Sequence, residues 1–156
     1  MVDIERTSAL SFVRSYAARM KATRRPSVGV LGVDDEQLVR KFVERVLGEA
    51  GYTITSASDG PEAIDVAATL EDFDMLVTDV MMPQMTGDEL ARRLRVGRPS
   101  LKVLYLTGFS DRLFKEKVTL WADEAFLDKP CSVKGLLQAV SLLVFGKVDA
   151  PKDFAS

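Results

Sequence analysis

Five short apolar runs recur along this chain, VGVLGV (28–33), TITSA (53–57), MLVT (75–78), VLYL (103–106) and EAFL (124–127), and a helical pattern separates each from the next. Most of the runs are near-continuous in apolar character, as strands buried on both faces are. The segments between them place apolar residues at helical spacing. Leu38, Phe42, Val46 and Leu47 do so within 36–50, and Ala63, Ile64, Ala67 and Leu70 do so after Asp59, a good N-cap. Further helices are expected from 87 or 88 to 96, from 111 to 121 and from 132 to 145, and Gly51 is placed to end the first helix. Strict alternation of strand and helix implies a five-stranded parallel sheet covered on both sides, a doubly wound α/β fold.

Residues 1–26 stand apart. The first 25 residues hold six basic and two acidic side chains, whereas the rest of the chain has the opposite balance. Ala9, Leu10, Val13, Tyr16, Ala17 and Met20 form an apolar stripe, with Arg6, Arg14, Arg19 and Lys21 off it, so an amphipathic helical extension ends before Pro26. An isolated helix of this length is marginal in water, and its stripe needs cover from a second copy or from the chain's own domain. A homodimer through this helix is the favoured arrangement. Membrane docking is the weaker reading, because the stripe is short and Ala-rich. Residues 27–147 form the domain proper, and 148–156 form a flexible tail too short for an output domain.

Composition removes several classes of function. A formal charge of −2 provides no global field for nucleic acid, and the absence of histidine excludes a His metal site or a Ser-His pair on this chain. The lone Cys131 forms no internal disulfide, which fits a reducing compartment. The N-terminus lacks a signal-peptide pattern, and no apolar stretch approaches the roughly 18 residues of a membrane span, so the chain reads as cytoplasmic.

In an open parallel sheet the ligand crevice lies outside the carboxyl ends of the strands. Asp34, Asp35 and Glu36 follow the first run, Asp79 the third, Thr107 and Gly108 the fourth, and Asp128, Lys129 and Pro130 the fifth. Each has an ordinary explanation alone: a charge cluster at a helix N-terminus, a turn residue, a β-branched strand residue, a solvated lysine. Together they place three carboxylates, a lysine and a hydroxyl at one edge. Converging carboxylates repel unless a cation neutralises them, and all-oxygen ligands select Mg²⁺ (or Mn²⁺), which shares phosphate oxygens. Asp79, on the central strand, is placed to attack phosphorus, with Lys129 and Thr107 binding the transferred oxygens. Met75, Met81, Met82 and Met85 read as packing rather than as a soft-metal site.

The motifs LGVDDE, VTDVMMPQMTG, YLTG and FLDKP resemble the receiver domain of two-component response regulators, over residues 27 to about 147. The resemblance implies a flavodoxin-like sheet of strand order 2-1-3-4-5 and a cis Lys129–Pro130 peptide. It implies Asp79 as phosphoacceptor, Asp35 as direct metal ligand with Asp34 as its partner, and the Met81 backbone carbonyl as a further ligand. Thr107 becomes the switch hydroxyl and Lys129 the phosphate-binding lysine. Phe126 stands where the family's switch aromatic is often tyrosine, which removes any hydroxyl readout there. A sensor histidine kinase or a histidine phosphotransfer protein is the implied donor, and the downstream protein is unknown. The expected function is a single-domain response regulator that signals through a surface including Leu113, Phe114, Lys117 and Trp121. It would catalyse its own phosphorylation and dephosphorylation rather than turn over a separate substrate. Three alternatives stand beside it: a phosphate sink in a phosphorelay, an aspartyl-phosphate phosphatase of the haloacid dehalogenase type, and a flavodoxin-like electron carrier. The phosphatase needs D-x-D after one strand, and the carrier needs a Ser/Thr/Gly-rich phosphate loop where this chain has acids.

Overall fold

Each of the five apolar runs is a strand in the computed structural model, which describes residues 9, 11–14, 27–108 and 123–146. In chain order the elements are β1 (Gly29–Val33), α1 (Gln37–Glu49), β2 (Thr53–Ala57), α2 (Gly60–Thr69), β3 (Met75–Asp79), α3 (Gly87–Gly97), β4 (Lys102–Thr107), β5 (Glu124–Asp128) and α4 (Val133–Phe145). The strands form one sheet of order β2-β1-β3-β4-β5, parallel throughout. The expected helix over 111–121 and the tail from 148 lie outside the described residues, as do Leu113, Phe114, Lys117 and Trp121.

Alternation along the strands divides the core in two. Val30, Met75, Val77, Leu104 and Leu106 pack with Val43, Val46 and Leu47 of α1 and with Leu136, Leu137 and Val140 of α4. On the other face Leu31, Val33, Leu76, Val103 and Tyr105 pack with Ala63 and Ala67 of α2 and with Leu90, Ala91 and Leu94 of α3. Most are fully buried, and each large apolar side chain so placed contributes about 1.5–3 kcal/mol. β3 is buried along its whole length, so Asp79 at its end leaves the core without reaching open solvent.

Local sequence sets the helix ends. Asp59 accepts a hydrogen bond from the Glu62 N–H at 2.8 Å and Pro61 occupies the first turn of α2, while Ser132 caps α4 by accepting from the Gly135 N–H at 2.9 Å. Gly51, just past α1, has φ of 104°, the left-handed conformation that ends a helix most easily with glycine. The Lys129–Pro130 peptide is cis.

Two sequence expectations shift. Leu38, assigned to the buried face of α1, is 82% exposed, and the buried residues of that helix are Val43, Val46 and Leu47. Leu38 belongs to the first turn, beyond the edge of the sheet. Near the N-terminus, Phe12 is 1% exposed and Val13 6%, both within the α1/α4 core cluster. Phe12 lay off the proposed stripe, and these two residues are covered by the chain's own domain, one of the two kinds of cover that the sequence left open. The rest of that stripe lies outside the described residues except Ala9, which is half-buried.

Candidate acidic site at the carboxyl edge of the sheet

The sheet delivers its chemistry at one edge because the hydrogen-bond ladders continue into the residues that carry it. The Asp34 N–H donates to the Ala57 carbonyl at 3.3 Å, and the Lys129 N–H donates to the Thr107 carbonyl at 2.8 Å. Past β3 the chain turns through 80–86, where Gln84 has a left-handed φ of 74°, and the Gly87 N–H closes this loop on the Val80 carbonyl at 2.7 Å. Asp79 is thereby held at both flanks.

Asp34 and Asp79 are buried, whereas Asp35 is exposed, and the three carboxylates each offer an oxygen within 4.8 Å of the others. Lys129 reaches in from the end of β5. Its Nζ lies 3.2 Å from Asp79 Oδ1 and 3.4 Å from Asp34 Oδ2, with Glu36 Oε1 at 3.8 Å. Asp79 Oδ1 also accepts from the Val80 N–H, and Asp34 Oδ1 from the Glu36 N–H, both at 2.9 Å. One lysine against three clustered carboxylates leaves a local excess of negative charge.

The titration of these groups follows from that imbalance. Burial, and then the charge of Asp34, raise the Asp79 carboxyl to about 7 despite Lys129. Asp34 is raised too, mainly by burial, with the Glu36 N–H and Lys129 opposing. Burial alone would lower Lys129, but the charges of Asp34 and Asp79 outweigh it and raise the ammonium above its ordinary value. Such a donor set, all oxygen and short of positive charge, fits a hard divalent cation.

Among the sequence-predicted site residues, the fold brings together Asp34, Asp35, Asp79 and Lys129. Met81 is 56% exposed in the loop after Asp79 and shares a cleft of about 580 Å³ with Asp35, Asp79 and Lys129. Leu38, Val39 and Phe42 form an apolar wall of the same cleft, which explains why an exposed leucine opens α1. Thr107 is 1% exposed, and its hydroxyl donates to Asp128 Oδ1 at 2.8 Å. Phe126 is half-buried, with its ring centroid 5.7 Å from that of Tyr105.

Sequence reasoning missed Arg40, whose guanidinium donates to the Asp34 carbonyl at 2.7 Å and fixes the turn that presents the two acids. It also passed over Tyr105, whose hydroxyl donates to Glu124 at 2.7 Å, while Arg95 pairs with the same carboxylate at 3.4 Å. Only the proximity of β4 to β5 and α3 would have revealed that network, since the three residues are far apart in sequence. Cys131 lines the cleft with its thiol pushed up by burial.

Comparison with known proteins gives a consistent result. Residues 30–141 match the family model of the response regulator receiver domain. The response regulator receiver protein CpdR of Brucella abortus is 31% identical over 115 residues, covering 74% of this chain and 95% of CpdR. Sensor kinase CckA of the same organism is 37% identical over 115 residues, which cover 73% of this chain but only 12% of that kinase. Among solved structures, chemotaxis protein CheY4 of Vibrio cholerae superposes with a TM-score of 0.65 at 30% identity, covering 76% of this chain and 100% of CheY4. No helix among the described residues is long and apolar enough to cross a membrane.

Proposed function

Because the chain belongs to the response regulator receiver family, we propose that it is a phosphorylation switch in which Asp79 accepts a phosphoryl group from a phosphohistidine. The observation that carries this reading is the convergence of Asp34, Asp35 and Asp79 with the Lys129 ammonium 3.2 Å from Asp79. The 156 residues contain no histidine, so the donor imidazole comes from outside them, on a sensor kinase or a histidine phosphotransfer protein.

Asp34, Asp35 and Asp79, with the Met81 carbonyl, are the groups that would hold Mg²⁺. When bound, the ion neutralises charge that develops on the phosphoryl oxygens. The chain's own residues do the positioning. The Val80 N–H and Lys129 fix one oxygen of Asp79, and the carboxylate attacks phosphorus in line as the bond to the imidazole nitrogen breaks. Lys129 then pairs with a phosphoryl oxygen, and Thr107 donates its hydroxyl to another. Later attack by water returns Asp79 to a carboxylate and releases phosphate. The apolar wall of Leu38, Val39 and Phe42 beside the acids suits docking of the donor protein. Phe126 and the β4–β5 face carry the conformational change outward.

Family membership removes the dehalogenase-type and electron-carrier readings. A switch and a phosphate sink share this chemistry and differ in whether a downstream protein binds the phosphorylated form. The test is incubation with Mg²⁺ and acetyl phosphate, or with a phosphorylated kinase, followed by intact-mass measurement. One acid-labile phosphoryl group on wild type and none on Asp79→Asn is the expected result. Equal labelling of the two proteins, or no labelling of wild type, would overturn the assignment.

A further inference from the structure

β4 and β5 present one continuous row of side chains, because their register pairs Tyr105 with Phe126 and Thr107 with Asp128. Two side-chain hydrogen bonds bridge the strands on this face, Tyr105 to Glu124 at 2.7 Å and Thr107 to Asp128 at 2.8 Å, and the Tyr105–Phe126 ring contact lies between them. Phe126, the proposed moving aromatic, is thus flanked in sequence and in space by the two acceptors, Glu124 and Asp128.

The Thr107 bond has a consequence for the chemistry. A hydroxyl carries a single proton, so Thr107 cannot donate at once to Asp128 and to a phosphoryl oxygen. Its side chain is almost fully buried, so solvent is a poor substitute partner, and release from one acceptor requires capture by the other. We propose that Asp128 is a positioning residue that holds Thr107 in the resting state, so that a phosphoryl group on Asp79 must win the hydroxyl proton from Asp128 before the β4–β5 face can rearrange. This rests on the reading of Thr107 as the hydroxyl that meets the phosphoryl group. Both competitors are anionic acceptors, but Asp128 is exposed at the end of β5, so water competes for its carboxylate and its hold on Thr107 is weak enough for a modest local event to shift a two-state equilibrium. A neutral residue at 128 would leave the resting state without a charged competitor.

The test uses the full chain and beryllofluoride with Mg²⁺, a mimic of a phosphoryl group on a carboxylate, with affinity measured by calorimetry. Asp128→Ala should tighten binding by about 3- to 10-fold, the range of an ordinary hydrogen bond, because the exposed Asp128 carboxylate is screened by water. Asp128→Asn, which keeps the size and a neutral acceptor, should tighten it less, and it serves if the alanine variant does not fold. In a Thr107→Val background the same change at 128 should alter affinity by less than about 2-fold, because no proton remains to compete for. Loosening of β5 alone would weaken binding, which is the opposite sign. The proposal is overturned if neither variant at 128 tightens binding, or if the tightening survives in Thr107→Val. A wild type that does not bind beryllofluoride, or that binds it equally as Asp79→Ala, instead removes the phosphoacceptor reading and the role of Asp128 with it.

Discussion

Gly87 offers a steric test of how firmly the fold holds Asp79. A Cβ at this position would lie 2.2 Å from the Asp79 carbonyl oxygen, 3.1 Å from Thr78 Cγ2 and 3.2 Å from the Asp79 carbonyl carbon. A carbon meets a carbonyl oxygen comfortably only beyond about 3.3 Å, so Gly87→Ala must separate the start of α3 from the end of β3 by about 1 Å. The nearest atom by far is a backbone oxygen, which cannot swing aside as a flexible side-chain tip could, and the displaced segment includes the 2.7 Å bond from the Gly87 N–H to the Val80 carbonyl. Overpacking of this kind costs about 1–3 kcal/mol, and a backbone clash belongs at the upper end, which lowers the melting temperature of a chain this size by roughly 6–10 °C. Because the displaced residue is the proposed nucleophile, labelling by acetyl phosphate should also fall by about 10²-fold, the sensitivity expected of a 1 Å misplacement. Gly97 is the internal control. It closes α3 with open space, nothing within 4 Å, where the methyl group of an alanine would sit, and it has no left-handed φ, so Gly97→Ala should keep full labelling and gain up to about 1 kcal/mol. Urea unfolding and labelling of both variants decide the matter. A Gly87→Ala protein with the wild-type midpoint and labelling rate would refute the account of how Asp79 is positioned.

Two further outcomes follow from burial. Asp79→Asn should stabilise the metal-free protein, since the carboxyl is raised to about 7 by burial and by Asp34. A carboxyl raised on folding opposes folding fully above about pH 7, less as pH falls, and not at all below about 4. The gain, on the order of 4 kcal/mol at pH 8 from the full rise of the carboxyl, should therefore shrink through that window, and Mg²⁺ should stabilise wild type far more than the variant; a pH-independent difference in urea midpoint would contradict this. Phe12→Ala should destabilise by about 3–5 kcal/mol, the cost of emptying a fully buried aromatic site; an unchanged midpoint would mean that the segment around Phe12 is not part of the core.

The sheet and the acidic cluster were legible because each rests on a rule that local sequence obeys. Apolar runs separated by helices dictate parallel strands, and residues just beyond each run must sit at one edge, so Asp34, Asp35, Asp79 and Lys129 could be brought together without coordinates. What was not legible depends on rotation or on register. Leu38 is apolar and at helical spacing, yet periodicity does not say where along α1 the sheet ends. Phe12 is one position away from Val13, about 100° around the helix, and only the shape of the α1/α4 crevice decides that both enter it. The Thr107–Asp128 bond needs β4 and β5 in one register, and a shift of one residue would turn Asp128 to the other face.

The same contrast separates residues that stabilise this fold from those that use it. Val77 and Leu76, at the centre of β3, are explained completely by burial. Two and three residues further on, Asp79 on the same buried strand has no such explanation, because its charge is opposed both by its surroundings and by Asp34. Lys129 relieves part of that repulsion, and it can do so only because β5 ends level with β3 and β1 across the sheet. An arrangement that raises a carboxyl toward neutrality in a metal-free domain is poorly suited to holding the domain together, but it is well suited to favouring whatever brings positive charge to that edge. Under the proposed function, the stability withheld from the resting protein becomes differential affinity for a metal-bound, phosphoryl-accepting state, which is the quantity a switch needs.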